Sequence, residues 1–131
     1  MSRHKNMAFT LVELIMVIVI LGLLAAVVVP KYTDLRTQAQ SAAEDGAVGA
    51  VRSGIQLAHM SSLASGTDTW PTTLDSASNA AASDTNPLFT TIVQGGVTDK
   101  NWSKTGNTTY KYTPTGSVYV YTAASGAFTK Q

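Results

Sequence analysis

An apolar run near the N-terminus, interrupted by one acidic residue, constrains this chain more than any other feature. The run extends from Phe9 to Val29, and the sixteen residues from Leu14 to Val29 carry no polar side chain. Glu13 stands close to its start. A carboxylate at membrane depth is costly and usually marks a function and a partner. Because the run is hydrophobic enough without this charge, Glu13 is predicted to serve a purpose other than anchoring.

The run is long enough to cross a bilayer as one helix. Its 21 residues cover roughly 30 Å at about 1.5 Å per residue, the thickness of the hydrocarbon core. Arg3 and Lys5 precede it in a leader of eight residues, whereas the first charges after it are mixed in sign. The positive-inside bias therefore predicts a cytoplasmic leader and places the chain after Pro30 outside.

Two simpler interpretations leave Glu13 unexplained. A secretory signal peptide has about 7–15 apolar residues and a small-x-small cleavage site, but the chain offers only a poor site near Ala26. An uncleaved membrane anchor fits the hydropathy and has no use for a carboxylate.

The residues around Glu13 resemble the class III signal of type IV pilins and pseudopilins. A short basic leader is followed by Ala8, then by Phe-Thr-Leu-Val-Glu at residues 9–13, and then by an apolar run that ends in Pro30. The resemblance implies that a dedicated membrane peptidase cuts between Ala8 and Phe9 and methylates the new amine of Phe9. The family usually has Gly before the cut, and this chain has Ala8, which is nearly as small.

The resemblance also gives Glu13 a role in assembly. Cleavage creates a charged amine at Phe9 in the same low-dielectric layer as the carboxylate, where opposite charges attract strongly and each is costly to leave unpaired. Within one helix the two groups lie one turn apart, so some self-pairing is geometrically possible. In the family the pair is taken to join Glu13 of an incoming subunit to Phe9 of its neighbour, which sets the axial register of a filament.

Gly22 and Pro30 interrupt the apolar helix. Gly in membrane helices commonly allows close packing, and Pro kinks or ends a helix. On the residues alone, Pro30 marks either the membrane edge or a bend. The resemblance implies that the segment from Gly22 to Pro30 unwinds when subunits pack and that Pro30 bends the helix outward.

The predicted fold class is α+β, and the resemblance implies a pilin fold, in which a long N-terminal helix packs on a small antiparallel sheet of three or four strands. Three-four spacing beyond Pro30 predicts one helix from about Thr10 to about Ser62, with Glu44 on a polar face. Period-two alternation and Gly turns predict the strands. The predicted divisions are a cleaved leader (1–8), a transmembrane or filament-core helix (9–30), an amphipathic helix (31–63), a Ser/Thr/Ala-rich loop (64–87) and a β-sheet head (88–131).

Details within this loop and head are also predicted. Trp70 is expected to dock the loop onto the head, and a short helical turn is expected near residues 74–82. The strand assignments are 88–94, 108–113, 117–122 and a short segment around 127–129.

Little in the sequence indicates chemistry. There is no Cys, hence no disulfide, although many pilins have one. His59 is the one His after the leader and is expected to be a surface residue. No cofactor motif or metal-ligand spacing is present, and Asp99 with Asn101 is too small a set for calcium. The chain is predicted not to be an enzyme.

Charge disfavours nucleic acid as a partner. The whole chain is +1, and without Arg3 and Lys5 it has 7 basic against 8 acidic side chains, so it lacks the positive footprint that nucleic-acid binding needs. Because DNA-uptake pilins exist, a cluster of lysines on the head stays a minor alternative. Its members are Lys100, Lys104, Lys111 and Lys130.

The resemblance implies a structural subunit of a type IV pilus, serving adhesion, motility or a related surface function. It polymerises with itself after processing by the prepilin peptidase, and inner-membrane assembly machinery moves it from a single-pass membrane location to a surface filament. The region from Pro30 to Leu57 is also similar to the mannose-sensitive haemagglutinin group of pilins. A type II secretion pseudopilin is the alternative within the family. A monomeric, membrane-anchored binding domain is the alternative from another class.

Overall fold

The computed structural model describes residues 8–131 of the chain. Helix α1 runs Leu11–Ala64, and four strands follow: β1 (Trp102–Gly106), β2 (Thr109–Tyr112), β3 (Ser117–Thr122) and β4 (Ala127–Lys130). The α+β class and the single long helix are confirmed. The chain divides into two compact units, an N-terminal unit that ends at Ala39 and a head unit of residues 40–131.

The N-terminal unit is the first part of α1. Its apolar side chains are exposed throughout, and by length and composition α1 can cross a membrane. Pro30 does not end the helix, which continues in regular α-conformation beyond it. The Thr33 hydroxyl donates to the carbonyl oxygens of Val29 (3.2 Å) and Pro30 (2.8 Å). Pro30 therefore does not end α1, and its role as a membrane edge or a bend stays a prediction.

In the head unit, α1 buries the face that the sequence pattern predicted. Val48, Val51 and Ile55 are all 5% exposed or less. Gly54 lies on the same side, where a Cβ atom would overlap the carbonyl group of Ile92, so Gly is needed for this close approach. The helix is thereby fixed to the core of the head.

The sheet is an antiparallel meander with strand order β1-β2-β3-β4. Alternate residues of β2 and β3 are buried, as predicted: Tyr110, Tyr112, Tyr119 and Tyr121. Their rings form one aromatic core with Phe89, Trp102 and Phe128; for example, the ring centroids of Phe89 and Tyr110 lie 4.4 Å apart. This aromatic layer is what α1 packs against.

The loop between helix and sheet departs from prediction. The prediction of a strand at 88–94 was wrong. This segment contributes one bridge, from Leu88 to Val97, and otherwise forms turns. Phe89 adopts φ 61° and donates its N–H to Asp75 (3.0 Å), which breaks the extended conformation. The helical turn expected at 74–82 is not formed, and β1 was missed because Lys104 occupies one of its buried positions.

Trp70 docks the loop on the head, as predicted. Its ring covers Gly126, where a Cβ atom would overlap it, and packs against His59 in a tilted arrangement with centroids 3.7 Å apart. His59 also contacts Asp68 through a 2.8 Å hydrogen bond. This imidazole is therefore half-buried and part of the loop contact, and the expectation of a plain surface residue was wrong.

Candidate functional site

The start of α1 is closed by reciprocal hydrogen bonds between Thr10 and Glu13. The backbone N–H of Glu13 donates to Oγ1 of Thr10 (3.2 Å), and the backbone N–H of Thr10 donates to Oε2 of Glu13 (3.0 Å). The Thr10 hydroxyl also donates to Oε2 (3.1 Å). This arrangement is a capping box, with Thr10 as the N-cap and Glu13 as residue N3.

The capping box assigns Glu13 a local role that the sequence analysis missed. Free N–H groups at a helix start favour a carboxylate there, and in an apolar medium their satisfaction matters more than in water. The signal was readable, because Ser or Thr followed three residues later by Glu before an apolar run is a capping-box pattern. Glu13 therefore has hydrogen-bond partners within its own helix before any second subunit is present.

Only one carboxylate oxygen takes part in this cap. Both of the hydrogen bonds that Glu13 accepts end on Oε2, and Oε1 accepts none from residues 8–131. The side chain is exposed. Glu13 can therefore keep its cap and still offer one oxygen to a charged amine from outside the helix.

Phe9 precedes the cap and is 89% exposed. It lines one shallow apolar groove together with Glu13 and Leu14. Phe9 and Leu14 occupy the N′ and N4 positions, which form a hydrophobic staple in many helices. The structure thus brings the two predicted assembly residues, Phe9 and Glu13, to the same helix end.

The other predicted site residues lie along this segment. Ala8 is exposed and stands outside regular secondary structure, while the rest of the predicted leader lies outside the described residues. Gly22 lies within α1, and a Cβ atom added there would meet nothing within 4 Å, so no contact in the described chain requires glycine at this position.

Comparison with known families decides the nature of this segment. The prokaryotic N-terminal methylation motif matches residues 3–29, which include the candidate cut, the capping box and Gly22. Residues 3–29 are therefore similar to the N-terminal methylation motif, in agreement with the resemblance that the sequence pattern indicated.

Two relatives are similar to the chain over different lengths. Over 50 residues the chain is 50% identical to the type IV narrow pilus major component PilA5 of Thermus thermophilus, covering 38% of this chain and 43% of that protein. Over 106 residues it is 29% identical to the type II secretion system core protein G of Pseudomonas aeruginosa, covering 81% of this chain and 65% of that protein. The chain thus spans less than two thirds of either relative. No solved structure matches it.

The head unit contains a buried carboxylate, Glu44, that was expected on a polar face. It accepts hydrogen bonds from the hydroxyls of Thr115 and Tyr119 and from the Lys130 ammonium (3.2 Å). Burial raises the pKa of Glu44, but hydrogen bonding from Ser117, Thr115, Tyr119 and Lys130 outweighs it and lowers the pKa from 4.5 to about 2. The carboxylate therefore joins α1 to the end of the sheet as a charged group.

A second buried carboxylate, Asp75, organises the loop. Oδ1 accepts from the Lys104 ammonium (2.6 Å), and Oδ2 accepts from the Tyr110 hydroxyl (2.9 Å) and the Phe89 N–H (3.0 Å). The pKa of Tyr110 is raised above its usual range, mainly by burial and to a smaller extent by the negative charge of Asp75. Because Lys104 is buried here, it cannot belong to a surface lysine cluster for nucleic acid.

These head networks are structural. Among residues 8–131, every buried side-chain nitrogen and oxygen has a hydrogen-bond partner, so the described buried polar groups are engaged within the fold. Catalytic groups normally combine a perturbed pKa with a place in a cleft that a substrate can reach. At the helix start, in contrast, Oε1 of the exposed Glu13 has no hydrogen-bond donor among residues 8–131.

Proposed function

We propose that this chain is the structural subunit of a type IV pilus filament and assembles through its N-terminal helix. The observation that carries the proposal lies at the start of an exposed apolar helix, beside Phe9: there Glu13 is capped through Oε2, while its Oε1 has no donor among residues 8–131. Apolar side chains on all faces require lipid or protein around them. Before assembly, the membrane surrounds these side chains. After assembly, a bundle of identical helices surrounds them.

In this proposal the chain is made as a precursor in the inner membrane. The prepilin peptidase cuts between Ala8 and Phe9 and N-methylates Phe9, and assembly machinery then moves the subunit into a surface filament. The ammonium of Phe9 in one subunit binds Oε1 of Glu13 in the next, while Oε2 keeps the cap. Pairing cancels two charges that are each costly alone in an apolar layer.

A pseudopilin of a type II secretion system is the second candidate, favoured by the similarity to core protein G along 81% of the chain. It uses the same helix and the same charge pair. The two candidates differ in the product: a pilus reaches the cell surface and can be sheared off, whereas a pseudopilus stays in the cell envelope. Recovery in sheared filaments therefore separates them.

Substitutions at residues 10 and 13 separate the cap from the charge. Glu13→Gln keeps a residue that serves at N3 of a capping box but removes the charge that binds an amine. Thr10→Ala removes the N-cap and keeps the charge, and Thr10→Ser is its conservative control. Filament yield is measured by shearing and quantitative immunoblotting, with N-terminal sequencing to confirm processing of each variant.

We expect Glu13→Gln to lower the filament yield at least ~10-fold. A loss of about 1.4 kcal/mol of binding free energy at each contact between subunits already weakens that contact tenfold. Thr10→Ala costs about 1 kcal/mol of capping and is expected to lower the yield roughly fivefold, while Thr10→Ser stays close to the parent chain. If Glu13→Gln assembles normally and Thr10→Ala does not, Glu13 serves as a cap alone and the charge-pair mechanism is wrong. Absence of filaments in the parent chain itself would instead favour the monomeric anchored domain.

A further inference from the structure

A groove on the head unit is rich in hydrogen-bond donors. It has a volume of about 300 Å³ and lies between α1, which contributes Arg52 and Gln56, and the turn and strand of residues 126–129. Nε of Arg52 donates to the carbonyl of Phe128 (3.1 Å), which holds the guanidinium over the strand. Because β4 is the last strand in the sheet order, this groove runs along one open edge of the sheet.

Arg52 has donors to spare in this groove. A guanidinium has five N–H groups, and within residues 8–131 Arg52 makes one side-chain hydrogen bond and no ion pair. Its fixed planar fork fits a carboxylate through two parallel hydrogen bonds. The neighbouring Gln56 amide is also exposed and adds a further donor, so the groove fits a carboxylate ligand.

A carboxylate with complementary properties protrudes elsewhere on the same head. Asp84 stands in a two-residue turn closed by hydrogen bonds between Ser83 and Asn86, at 3.2 and 3.1 Å. The Asn86 side chain ties this turn to Ser78 (3.0 Å). Asp84 is exposed, and its carboxylate has no hydrogen bond or ion pair within the described part of the chain.

The two features lie at opposite edges of the sheet. Ala81 bridges to Ser103 of β1, so the segment that leads into the Asp84 turn extends the sheet beyond β1, whereas the Arg52 groove adjoins β4. With strands about 4.8 Å apart, the two edges are separated by roughly 20 Å. Arg52 and Asp84 of the same head therefore cannot bind each other. Different surfaces that complement each other on one subunit give a head-to-tail contact, which builds a helical polymer unless the rotation closes into a ring.

We propose that the Arg52 groove of one subunit binds the Asp84 turn of a second copy of the chain. This inference rests on the proposed filament and names a contact between heads, separate from the pairing of Phe9 with Glu13. Its partner is a carboxylate on a tight turn, recognised by the guanidinium and the Gln56 amide.

Cysteine cross-linking tests the contact without disturbing Arg52 or Asp84. The chain has no Cys, so a disulfide formed in Gln56→Cys/Thr85→Cys joins the introduced residues only. In oxidised filaments the double variant is expected to give a ladder of dimers, trimers and longer species on non-reducing gels. Each single variant is the matched control and is expected to give no ladder beyond a dimer.

Charge exchange provides an independent readout. Arg52→Glu and Asp84→Lys are each expected to lower the filament yield at least ~10-fold, because like charges facing each other at an interface are strongly unfavourable. The double variant restores the pair and is expected to return within about twofold of the parent. Lys111→Glu, which reverses charge at an exposed position of β2, is the control and is expected to assemble normally.

The outcomes distinguish this contact from the filament itself. Filaments that depend on Glu13 but give no ladder, with Arg52→Glu assembling like the parent, would overturn the head contact and leave the proposed function intact. A parent chain that forms no filament in the cell envelope or on the surface would overturn the proposed function, and this contact with it.

Discussion

Protonation of Glu44 is expected to loosen the head unit at low pH. The carboxylate is 3% exposed and binds Thr115, Tyr119 and Lys130 from the sheet end. Its folded pKa of about 2 lies below the ordinary value of 4.5, so unfolding makes the group easier to protonate. The stabilisation is therefore complete above about pH 4.5 and is lost as the pH falls from there towards 2.

The magnitude follows from the two pKa values. Each pKa unit corresponds to about 1.4 kcal/mol, so the difference between 4.5 and about 2 represents about 3 kcal/mol of stability at neutral pH. This is a large share of the stability of a small domain. Glu44→Gln removes the charge and nearly preserves the shape, and so isolates this contribution from the other carboxylates.

The assay is urea unfolding of the full chain in non-ionic detergent, and near-UV circular dichroism of the aromatic core monitors the unfolding. The difference in unfolding free energy between the parent and Glu44→Gln is measured at several pH values from 7 to 2. We expect this difference to shrink by about 3 kcal/mol between pH 6 and pH 2. A difference that stays constant across this range would refute the assignment of Glu44 as a charged, hydrogen-bonded group.

Three further substitutions test packing in the head by the same unfolding assay. Gly126→Ala would place a Cβ atom against the ring of Trp70, and Gly126 itself has a φ of +67°, which a residue with a side chain rarely adopts. The substitution is expected to destabilise the head by about 2 kcal/mol or more. An unchanged unfolding midpoint would contradict the docking of Trp70. Gly49→Ala, with nothing within 4 Å, is expected to stabilise α1 by up to about 1 kcal/mol, and destabilisation would show that this face is occupied. Asp75→Ala leaves Lys104 buried and unpaired and is expected to cost about 3–5 kcal/mol, most of it regained when Lys104→Met is added; equal losses in the single and double variants would count against the ion pair.

The helix and the aromatic strands were predictable because each has one dominant period. Val48, Val51 and Ile55 follow helical spacing, and the Tyr pairs of β2 and β3 alternate on a period of two. These patterns record which side of an element is buried. Charged side chains in the core do not follow such patterns, because their burial depends on partners distant in sequence. Glu44 and Lys104 were therefore not recognised as buried.

The loop was less predictable for a similar reason. Residues 88–94 have the composition of a strand, but Asp75, fourteen residues before Phe89, binds its N–H and favours a turn. At the N-terminus the local pattern was sufficient in principle, because the capping box lies within four consecutive residues. The apolar surroundings of Glu13 favoured a role for its charge in assembly, and its simpler role as residue N3 was missed.

The most direct test of the proposed assembly is the intact mass and N-terminal sequence of the chain in filaments sheared from the cell surface. We expect a chain that begins with N-methylated Phe9 and is abundant in that fraction. A processed chain confined to the cell envelope would instead support the pseudopilin. A chain that still begins at Met1, or that begins near Ala26, would contradict the cut after Ala8 and with it the charge pair on which the proposed assembly depends.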